Sequence, residues 1–501
     1  MSSCMRRLTF LCAVSALLAA TVSFPAEPSF SRSRWIAERK GKFLFTRGVA
    51  PTTRPAAPSV VQEPVVIPGA AAKKPQWVRV SRDLLQPDAG AGQPETQTEP
   101  FLAVDPAKDT RLLAGYQENR FEDGGARALA YAFSKNSGKT WTEGLLPGLT
   151  LDTGGPFQRA SDPWVAFGPN GRAYYVSLLF NETNPDNGLF VSASPDSGKT
   201  WGPPVPVHLG DRDNFDDKQA MVVDTRADSP FRGRVYVGWD TVVDNRAQLL
   251  RMSHSADAGA SFSPPVTLES AGANIGAIPV VGPGGLVHTI WLHGTNGFGP
   301  FSIHASRSED GGATWSPPVE VAPVGGAGVR DLRVGALPAV AIDSRNGRLY
   351  VVWQDDVLTR GVDQVLLSRS EDGGQTWSEP LRVSDGPDDA PSFTPAVAVA
   401  GDGRVAVAYY SLRNDPARRF GVDHYVALSK DGLNFGASRR TTNSSWDVRF
   451  AAFSRGFFLG DYQGLAAGKK VFYALWIATQ EPSRIDPPAR QPDAFVRTIR
   501  P

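Results

Sequence analysis

One octapeptide motif recurs along the chain at nearly even spacing. Five copies align without gaps, at 134–141, 194–201, 255–262, 308–315 and 370–377, and a sixth at 429–435 is one residue shorter. The third residues of successive copies are 60, 61, 53, 62 and 59 positions apart. Repeats of a few tens of residues are typical of propellers and solenoids. The spacing therefore restricts the chain to a repetitive architecture.

The octapeptide has the composition of a tight hairpin turn. Two copies read SPDSGKTW and SEDGGQTW, and they end at Trp201 and Trp377. The Asp carboxylate can accept hydrogen bonds from backbone amides of the turn. Gly tolerates a positive φ angle, and the closing aromatic ring can pack beneath the turn. Because such a turn satisfies its own polar groups, we predict that these Asp residues are structural.

The segments around each octapeptide predict an all-β fold. An apolar strand such as AMVVD (220–224) is followed by a second such as GRVYVGWD (233–240), by a third that enters the octapeptide, and by a fourth after it. Four antiparallel strands in each repeat form the blade of a β-propeller. Six such units extend from residue 99 to about 442.

The two ends of the chain predict one further blade. Strand-like segments at 457–467, 471–479 and 494–500 lack a fourth strand, and WVRVSRD at 77–83 is similar to the strand that follows an octapeptide. Pairing the N-terminal strand with the C-terminal blade would cover strand edges that invite aggregation. We therefore expect a β-propeller of seven four-stranded blades closed by this pairing, with six blades as the alternative.

The first 76 residues predict two segments outside the propeller. Residues 1–24 have a short basic start and an apolar run at 8–20, the pattern of a secretory signal peptide. This run is too short to cross a bilayer as a helix. Residues 25–76 are rich in Pro and Ala and lack strand or helix periodicity, which is typical of an extended linker. The propeller would then occupy 77–501.

Composition predicts an exported protein that binds no cofactor and no metal ion. Both cysteines, Cys4 and Cys12, fall in the predicted signal peptide, and a large exported chain without further cysteine favours a periplasmic or extracellular protein of bacterial origin. The 52 basic and 51 acidic residues nearly balance, so no nucleic-acid footprint is visible. The histidines are not spaced along the sequence in the way that metal ligands are. We expect a monomer with no cofactor and no membrane span.

One acidic stretch leaves a calcium site open as an alternative. DRDNFDDKQ carries four Asp side chains that could ligate Ca²⁺ through oxygen: Asp211, Asp213, Asp216 and Asp217. The glycine and the distant glutamate of an EF-hand loop are missing from this stretch. The expectation for the chain remains that no metal is bound.

Charged residues recur where a propeller binds its ligands. The octapeptide turns lie on one face, whereas residues before each first strand and after each second strand lie on the opposite face, around the axial channel. The acidic residues at these positions are Glu99, Asp162 and Asp461, and Asp461 is followed by Tyr462. The arginines are Arg120, Arg333 and Arg413. We therefore expect the binding site at this end of the channel.

The octapeptide resembles the Asp box, S-x-D-x-G-x-T-W, of the sialidase superfamily. Full repeats cover 99–435, and the segment GDYQGLA at 460–466 is similar to the closing segment of secreted bacterial sialidase-like proteins. The resemblance implies a propeller of BNR repeats that acts on a glycan or glycoconjugate. The activity that it implies is that of an exo-sialidase-like glycoside hydrolase.

The same resemblance implies roles for the charged residues. An arginine triad in such enzymes holds the sugar carboxylate, because guanidinium groups match it in two-pronged fashion. The chemistry also needs a tyrosine nucleophile with a carboxylate partner and an acid for the leaving group. The implied triad is Arg120, Arg333 and Arg413, with Asp461 beside the substrate; the implied catalytic residues are Tyr462, Glu99 and Asp162.

One departure from the family pattern keeps a second function open. The first-blade strand reads EPFLAVDP (99–106), where the family carries an Arg-Ile-Pro signature. The alternative is a non-catalytic propeller that binds a glycan or a protein. Turnover of a sialoside would separate the two functions.

Overall fold

The computed structural model describes residues 77–85, 92–243, 247–295, 299–335, 337–417, 420–479 and 491–501. The predicted signal peptide at 1–24 and linker at 25–76 lie outside the described residues. Within them the chain is all-β, with no α-helix. Short 3₁₀ turns occur at Leu151–Thr153, Pro169–Gly171, Pro283–Gly285 and Val448–Phe450. None of the described segments forms an apolar helix long enough to cross a membrane.

Antiparallel pairing joins consecutive strands into four-stranded units. After β1 (Val78–Arg79), the first unit contains β2 (Gln97–Val104), β3 (Leu112–Arg120), β4 (Ala126–Ser134) and β5 (Thr142–Leu145). The second contains β6 (Arg159–Phe167), β7 (Ala173–Phe180), β8 (Asn187–Ser194) and β9 (Val205–Gly210). The third contains β10 (Asn214–Val223), β11 (Val235–Val243), β12 (Ala247–Ser255) and β13 (Val266–Glu269).

The later units follow the same order. The fourth contains β14 (Ala273–Val281), β15 (Val287–Gly294), β16 (Phe301–Ser308) and β17 (Val319–Val324). The fifth contains β18 (Ala339–Ile342), β19 (Leu349–Asp355), β20 (Gln364–Ser370) and β21 (Leu381–Arg382). The sixth contains β22 (Ser392–Val399), β23 (Val405–Ser411), β24 (Gly421–Ser429) and β25 (Arg439–Arg440), and β26 (Trp446–Asp447) also pairs with β24.

The end of the chain forms a last set of strands with the first one. A small hairpin, β27 (Ala452–Phe453) and β28 (Phe457–Phe458), precedes β29 (Gly464–Ala467), β30 (Phe472–Thr479) and β31 (Pro492–Ile499). β1 pairs with β31, and Val78 lies opposite Val496. The sheet order is therefore β1-β31-β30-β29, which joins the two ends of the described chain.

The first strands of neighbouring units contact one another. β2, β6, β10, β14, β18, β22 and β29 contact one another in this order, and β29 in turn contacts β2. The second strands next to them are almost wholly buried, because apolar neighbours cover both of their faces. Their largest fully buried side chains are Trp239, Trp291, Trp353 and Trp476.

The octapeptides form the self-contained turns that their composition predicts. In the copy at 308–315, Asp310 accepts hydrogen bonds from the backbone amides of Ala313 and Thr314 at 3.0 and 2.9 Å, and from the Ser308 hydroxyl at 2.8 Å. Hydrogen bonds, above all from the Thr314 hydroxyl, lower the pKa of Asp310 to about 2. Asp196, Asp257, Asp372 and Asp431 make equivalent bonds. The carboxylates are thus used within the turns.

Candidate functional site

The first strands of several units carry a β-bulge at an equivalent position. Register shifts interrupt the pairing of β2, β6, β10, β14 and β22 with their second strands. The bulge residues adopt left-handed backbone angles: Glu99 (φ 53°), Asp162 (φ 52°), Lys218 (φ 48°), Gly276 (φ 78°) and Thr394 (φ 47°). This conformation costs a non-glycine residue about 1 kcal/mol, and such strain concentrates at functional sites.

The bulges bring one lysine into contact with three carboxylates. Lys218 Nζ lies 2.6 Å from Asp162 Oδ1, 2.6 Å from Asp461 Oδ2 and 3.2 Å from Glu99 Oε1. Burial alone would lower the pKa of Lys218, but the three carboxylates raise it above its ordinary value. We call Lys218, Glu99, Asp162 and Asp461 the lysine cluster. Lys218 is therefore a cation throughout the physiological pH range.

The acids of the lysine cluster are in different electrostatic environments. Burial, reinforced by the charge of Asp162, raises the pKa of Glu99. Burial also disfavours the charged form of Asp461, but the nearby Arg333 and Lys218 lower the pKa of Asp461 well below its ordinary value. Glu99 is therefore more ready to hold a proton than Asp461, which stays ionised.

A glutamine holds the Glu99 carboxylate in place. Gln117 Nε2 donates to Glu99 Oε2 at 2.6 Å and to Ser161 Oγ at 2.9 Å. The Gln117 carbonyl oxygen accepts from the Thr98 hydroxyl at 2.7 Å and from the Arg120 guanidinium. Since these groups lie on β2, β3 and β6, the network fixes the first two units to each other at the site.

Three arginines gather beside the lysine cluster. The guanidinium groups of Arg120 and Arg333 lie 4.2 and 4.4 Å from the centre of the Phe458 ring. Both also donate to the Ser454 hydroxyl, and Arg333 Nη2 donates to Asp461 at 2.9 Å. Burial and the charges of Arg333 and Arg120 lower the pKa of Arg455 to about 10. Sequence reasoning missed Arg455, which lies in the β27–β28 hairpin outside the repeat.

The arginines and the lysine cluster line one pocket of about 100 Å³. Its charged walls are formed by four basic side chains and five acidic ones: Arg120, Arg333, Arg455, Lys218, Glu99, Asp123, Asp162, Asp217 and Asp461. Its apolar walls include Leu178, Phe180, Phe215 and Ile275. Gln248 also lines the pocket, and within the described part of the chain its buried Oε1 has no hydrogen-bond partner. The pocket therefore offers guanidinium groups, carboxylates, an unused acceptor and an apolar surface.

Tyr462 lies on the far side of the lysine cluster. It lines a separate axial cavity of about 140 Å³, to which Lys218 and Asp461 also contribute. Its hydroxyl donates to the carbonyl oxygen of Pro163 at 3.0 Å, and its ring packs edge-on against Trp164 at 5.4 Å. Burial, with the nearby charge of Glu99, raises the pKa of Tyr462 well above its ordinary value. Tyr462 is thus a neutral phenol directed at the backbone.

The structure places Arg413 apart from the other two predicted arginines. Its guanidinium donates to Asp385 at 2.7 Å and to the Tyr409 hydroxyl at 2.8 Å, and it lies 4.0 Å from the centre of the Tyr425 ring. It follows β23, as predicted, but its side chain turns towards the outer strands of the sixth unit. Of the predicted arginine set, the pocket therefore contains Arg120 and Arg333.

The candidate calcium stretch uses its carboxylates within the protein. Asp211 Oδ1 accepts from the backbone amides of Asp213 and Asn214 at 2.8 and 2.9 Å. Asp216 accepts from Trp239 Nε1 at 2.9 Å and from the Thr241 hydroxyl at 2.7 Å. These contacts give the acidic stretch a structural role in the loop that leads into β10 and at the start of that strand.

Comparison with known proteins gives matches by structure. No family model matches the sequence, and no curated protein matches it. The intramolecular trans-sialidase from Ruminococcus gnavus is 13% identical, with a TM-score of 0.43 over 83% of this chain and 96% of that chain. An alpha-L-arabinanase from Penicillium chrysogenum is 12% identical, with a TM-score of 0.43 over 68% and 93%. A Hadza microbial sialidase is 14% identical, with a TM-score of 0.44 over 64% and 65%, so the match spans just under two thirds of that protein.

Proposed function

We propose that the chain is an exported seven-bladed β-propeller that holds an acidic sugar of a glycan in the arginine pocket and acts on it as a sialidase-like glycoside hydrolase. The observation that carries this proposal is the convergence of Arg120, Arg333 and Arg455 beside the lysine cluster in one pocket. The Asp-box resemblance of the sequence supports the same class of protein.

The strand contacts support the seven-bladed architecture. The six units that begin at β2 each keep four strands in chain order, and β29, β30, β31 and β1 form a seventh set. The first strands contact one another in a cycle. Pairing of β1 with β31 would then close the ring non-covalently, as in propellers that protect their strand edges.

The three arginines on one side of the pocket favour a carboxylate-bearing ligand there. Guanidinium groups bind carboxylates through paired hydrogen bonds, which are stronger when charge-assisted. The Phe458 ring lies beside the guanidinium groups of Arg120 and Arg333. Part of their N–H groups is used by Gln117, Ser454 and Asp461, and the buried Arg120 Nε has no hydrogen-bond partner within the described residues. The unused Oε1 of Gln248 would accept a hydrogen bond from a sugar hydroxyl or amide. Leu178 and Phe180 give the sugar ring an apolar wall.

The lysine cluster contains a pair of acids suited to glycosidic bond cleavage. Glu99, whose pKa is raised, would protonate the leaving oxygen, and Asp162 would act as the nucleophile. Both accept a hydrogen bond from Lys218 Nζ, so the two bonded oxygens lie within about 6 Å of each other. This upper limit is compatible with the separation of about 5 to 5.5 Å in retaining enzymes and is below the separation of about 6.5 to 9.5 Å in inverting enzymes. The Tyr462 hydroxyl is held by Pro163, so the nucleophile in this proposal is a carboxylate.

An assay with paired variants tests the proposal. The chain is incubated with fluorogenic sialosides and uronosides, and release is compared for wild type, Glu99→Gln and Arg333→Ala. We expect release from an acidic glycoside that both variants abolish. Arg413→Ala should retain it, because Arg413 lies outside the pocket. Wild type that is inert on the whole panel, or activity lost with Arg413→Ala and kept with Arg333→Ala, would contradict the proposal.

A second candidate is a propeller that binds the acidic sugar without turning it over. Lys218 pairs with all three acids of the cluster, and the Tyr462 hydroxyl is bonded to the Pro163 carbonyl. Calorimetric titration with free sialic acid and glucuronic acid would show binding that Arg333→Ala weakens, together with no release from the glycosides. A neutral sugar such as lactose is the matched control ligand.

A further inference from the structure

Two histidines and a glutamate meet between the third and fourth units, outside the arginine pocket. Glu269 ends β13, His293 lies near the end of β15, and His304 lies in β16. Glu269 Oε2 is 3.0 Å from His304 Nδ1 and 3.6 Å from His293 Nδ1. One possible ligand atom from each residue lies within 4.8 Å of the other two. We call these three residues the histidine cluster.

Neighbouring polar groups orient both imidazole rings. Asn274 Oδ1 is 2.9 Å from His293 Nδ1, and the Asn274 amide is itself fixed by bonds from its Nδ2 to backbone carbonyl oxygens. The Ser302 hydroxyl is 3.0 Å from His304 Nε2. The rings are stacked, with centroids 4.4 Å apart and planes at 12°. A hydrogen-bond partner on a ring nitrogen is what orients histidines that bind metals.

The surroundings of the histidine cluster admit an ion from solvent. The three side chains are 14 to 15% exposed. Glu320 is exposed on β17 directly opposite His304. Its carboxylate is thus positioned to supply another oxygen ligand. All four residues lie on paired strands, so their backbones are held and only side-chain rotation is needed to converge on an ion.

We infer that Glu269, His293 and His304 bind one divalent transition-metal ion, of which Zn²⁺ is the representative. Imidazole nitrogen and carboxylate oxygen are the ligands that Zn²⁺ takes in proteins, and three protein ligands leave a coordination position for Glu320, water or a ligand. Imidazole together with carboxylate does not favour Ca²⁺ or Mg²⁺, which take oxygen ligands. The inference is independent of the proposed glycan activity, because it concerns metal uptake alone.

Metal titration of the full chain tests this inference. Untagged protein is treated with a chelator, dialysed and titrated with ZnCl₂ by calorimetry, and the bound metal is measured by elemental analysis. We expect one Zn²⁺ per chain in wild type. His304→Ala and Glu269→Gln should each weaken binding by at least about tenfold. His254→Ala changes a histidine of β12 outside the cluster, and this variant should bind Zn²⁺ as wild type does.

The variants differ in how much they disturb the fold. Glu269→Gln keeps the size of the side chain, so it reports on the site even if His304→Ala unfolds the chain, which circular dichroism would reveal. Wild type that takes up no Zn²⁺ above a buffer blank would overturn the inference. Zn²⁺ bound equally well by wild type and by Glu269→Gln would overturn it too, because the ion would then lie elsewhere.

Discussion

Replacing Lys218 by methionine should expose how much the lysine cluster depends on its only ammonium group. Methionine keeps most of the unbranched stem, so the substitution mainly removes the charge. Glu99, Asp162 and Asp461 would then face one another without the ammonium group that contacts all three. Removing one partner of a buried ion pair costs about 3 to 5 kcal/mol. We expect the free energy of unfolding at pH 7 to fall by about that amount.

The loss of unfolding free energy caused by Lys218→Met should become smaller as the pH is lowered. Burial already raises the pKa of Glu99, and loss of the Lys218 charge would raise it further above its unfolded value of about 4, so the folded variant binds more protons than its unfolded chain. The stability contribution of this carboxyl then increases as the pH falls. In wild type, the lowered pKa of Asp461 has the opposite sign, but its contribution is lost only as the pH falls below about 4, outside the range from pH 7 to pH 5. The two chains should therefore become more similar between pH 7 and pH 5.

Urea unfolding at several pH values measures both effects. The midpoint and slope are followed for wild type, Lys218→Met and the double variant Lys218→Met/Asp162→Asn, which removes one of the uncompensated charges and should recover part of the loss. Lys470→Met, at an exposed lysine, is the matched control and should change stability by less than about 0.5 kcal/mol. A cost below about 1 kcal/mol for Lys218→Met, or a cost that is the same at pH 7 and pH 5, would refute the reasoning.

Three further predictions concern the core and the turns. Burial lowers the pKa of His424 to about 3, below its unfolded value of about 6.5. The free energy of unfolding should therefore fall by about 2 kcal/mol between pH 6.5 and pH 5. His424→Gln should flatten this pH dependence in urea titrations, and the same pH dependence in the variant would contradict the prediction. Trp377→Ala should cost about 3 kcal/mol in the same assay, whereas Leu358→Ala, at a side chain that is 54% exposed, should cost almost nothing. Hydrogen bonds, above all from Thr376, lower the pKa of Asp372 to about 2. The contribution of this carboxylate to stability is therefore lost as the pH falls from about 4 to about 2. The melting temperature of Asp372→Asn should decrease less over that range than the melting temperature of wild type.

The sequence predicts the strands well because their signals are local. Each octapeptide carries its own turn chemistry, as the bonds to Asp310 show, and the apolar strands between the turns follow from their composition. Pairing of β1 with β31 is not local, but the similarity of 77–83 to the strands after the octapeptides indicates it. Similar signals therefore identify strands even at opposite ends of the chain.

The site was only partly predictable because side-chain direction depends on tertiary contacts. Equivalent positions in the repeats predicted that Glu99, Asp162 and Asp461 lie together, and all three do contact Lys218. Register could not show that Arg413 turns outward to Asp385. Arg455 lies in a hairpin that has no counterpart in the other repeats, so no repeat position points to it. The histidine cluster combines strands of two units, which spacing along one strand cannot reveal.

The lysine cluster is difficult to explain by stability alone. Buried ion pairs are often no more stabilising than apolar side chains of similar volume. Glu99, Asp162 and Lys218 also adopt left-handed backbone angles, each at a cost of about 1 kcal/mol. An apolar layer with regular strands would therefore close the channel at lower free energy. Because Lys218 and Asp461 line both the arginine pocket and the cavity beside Tyr462, the property gained from these costs is a fixed set of charges in the pocket wall, as the proposed glycan site requires.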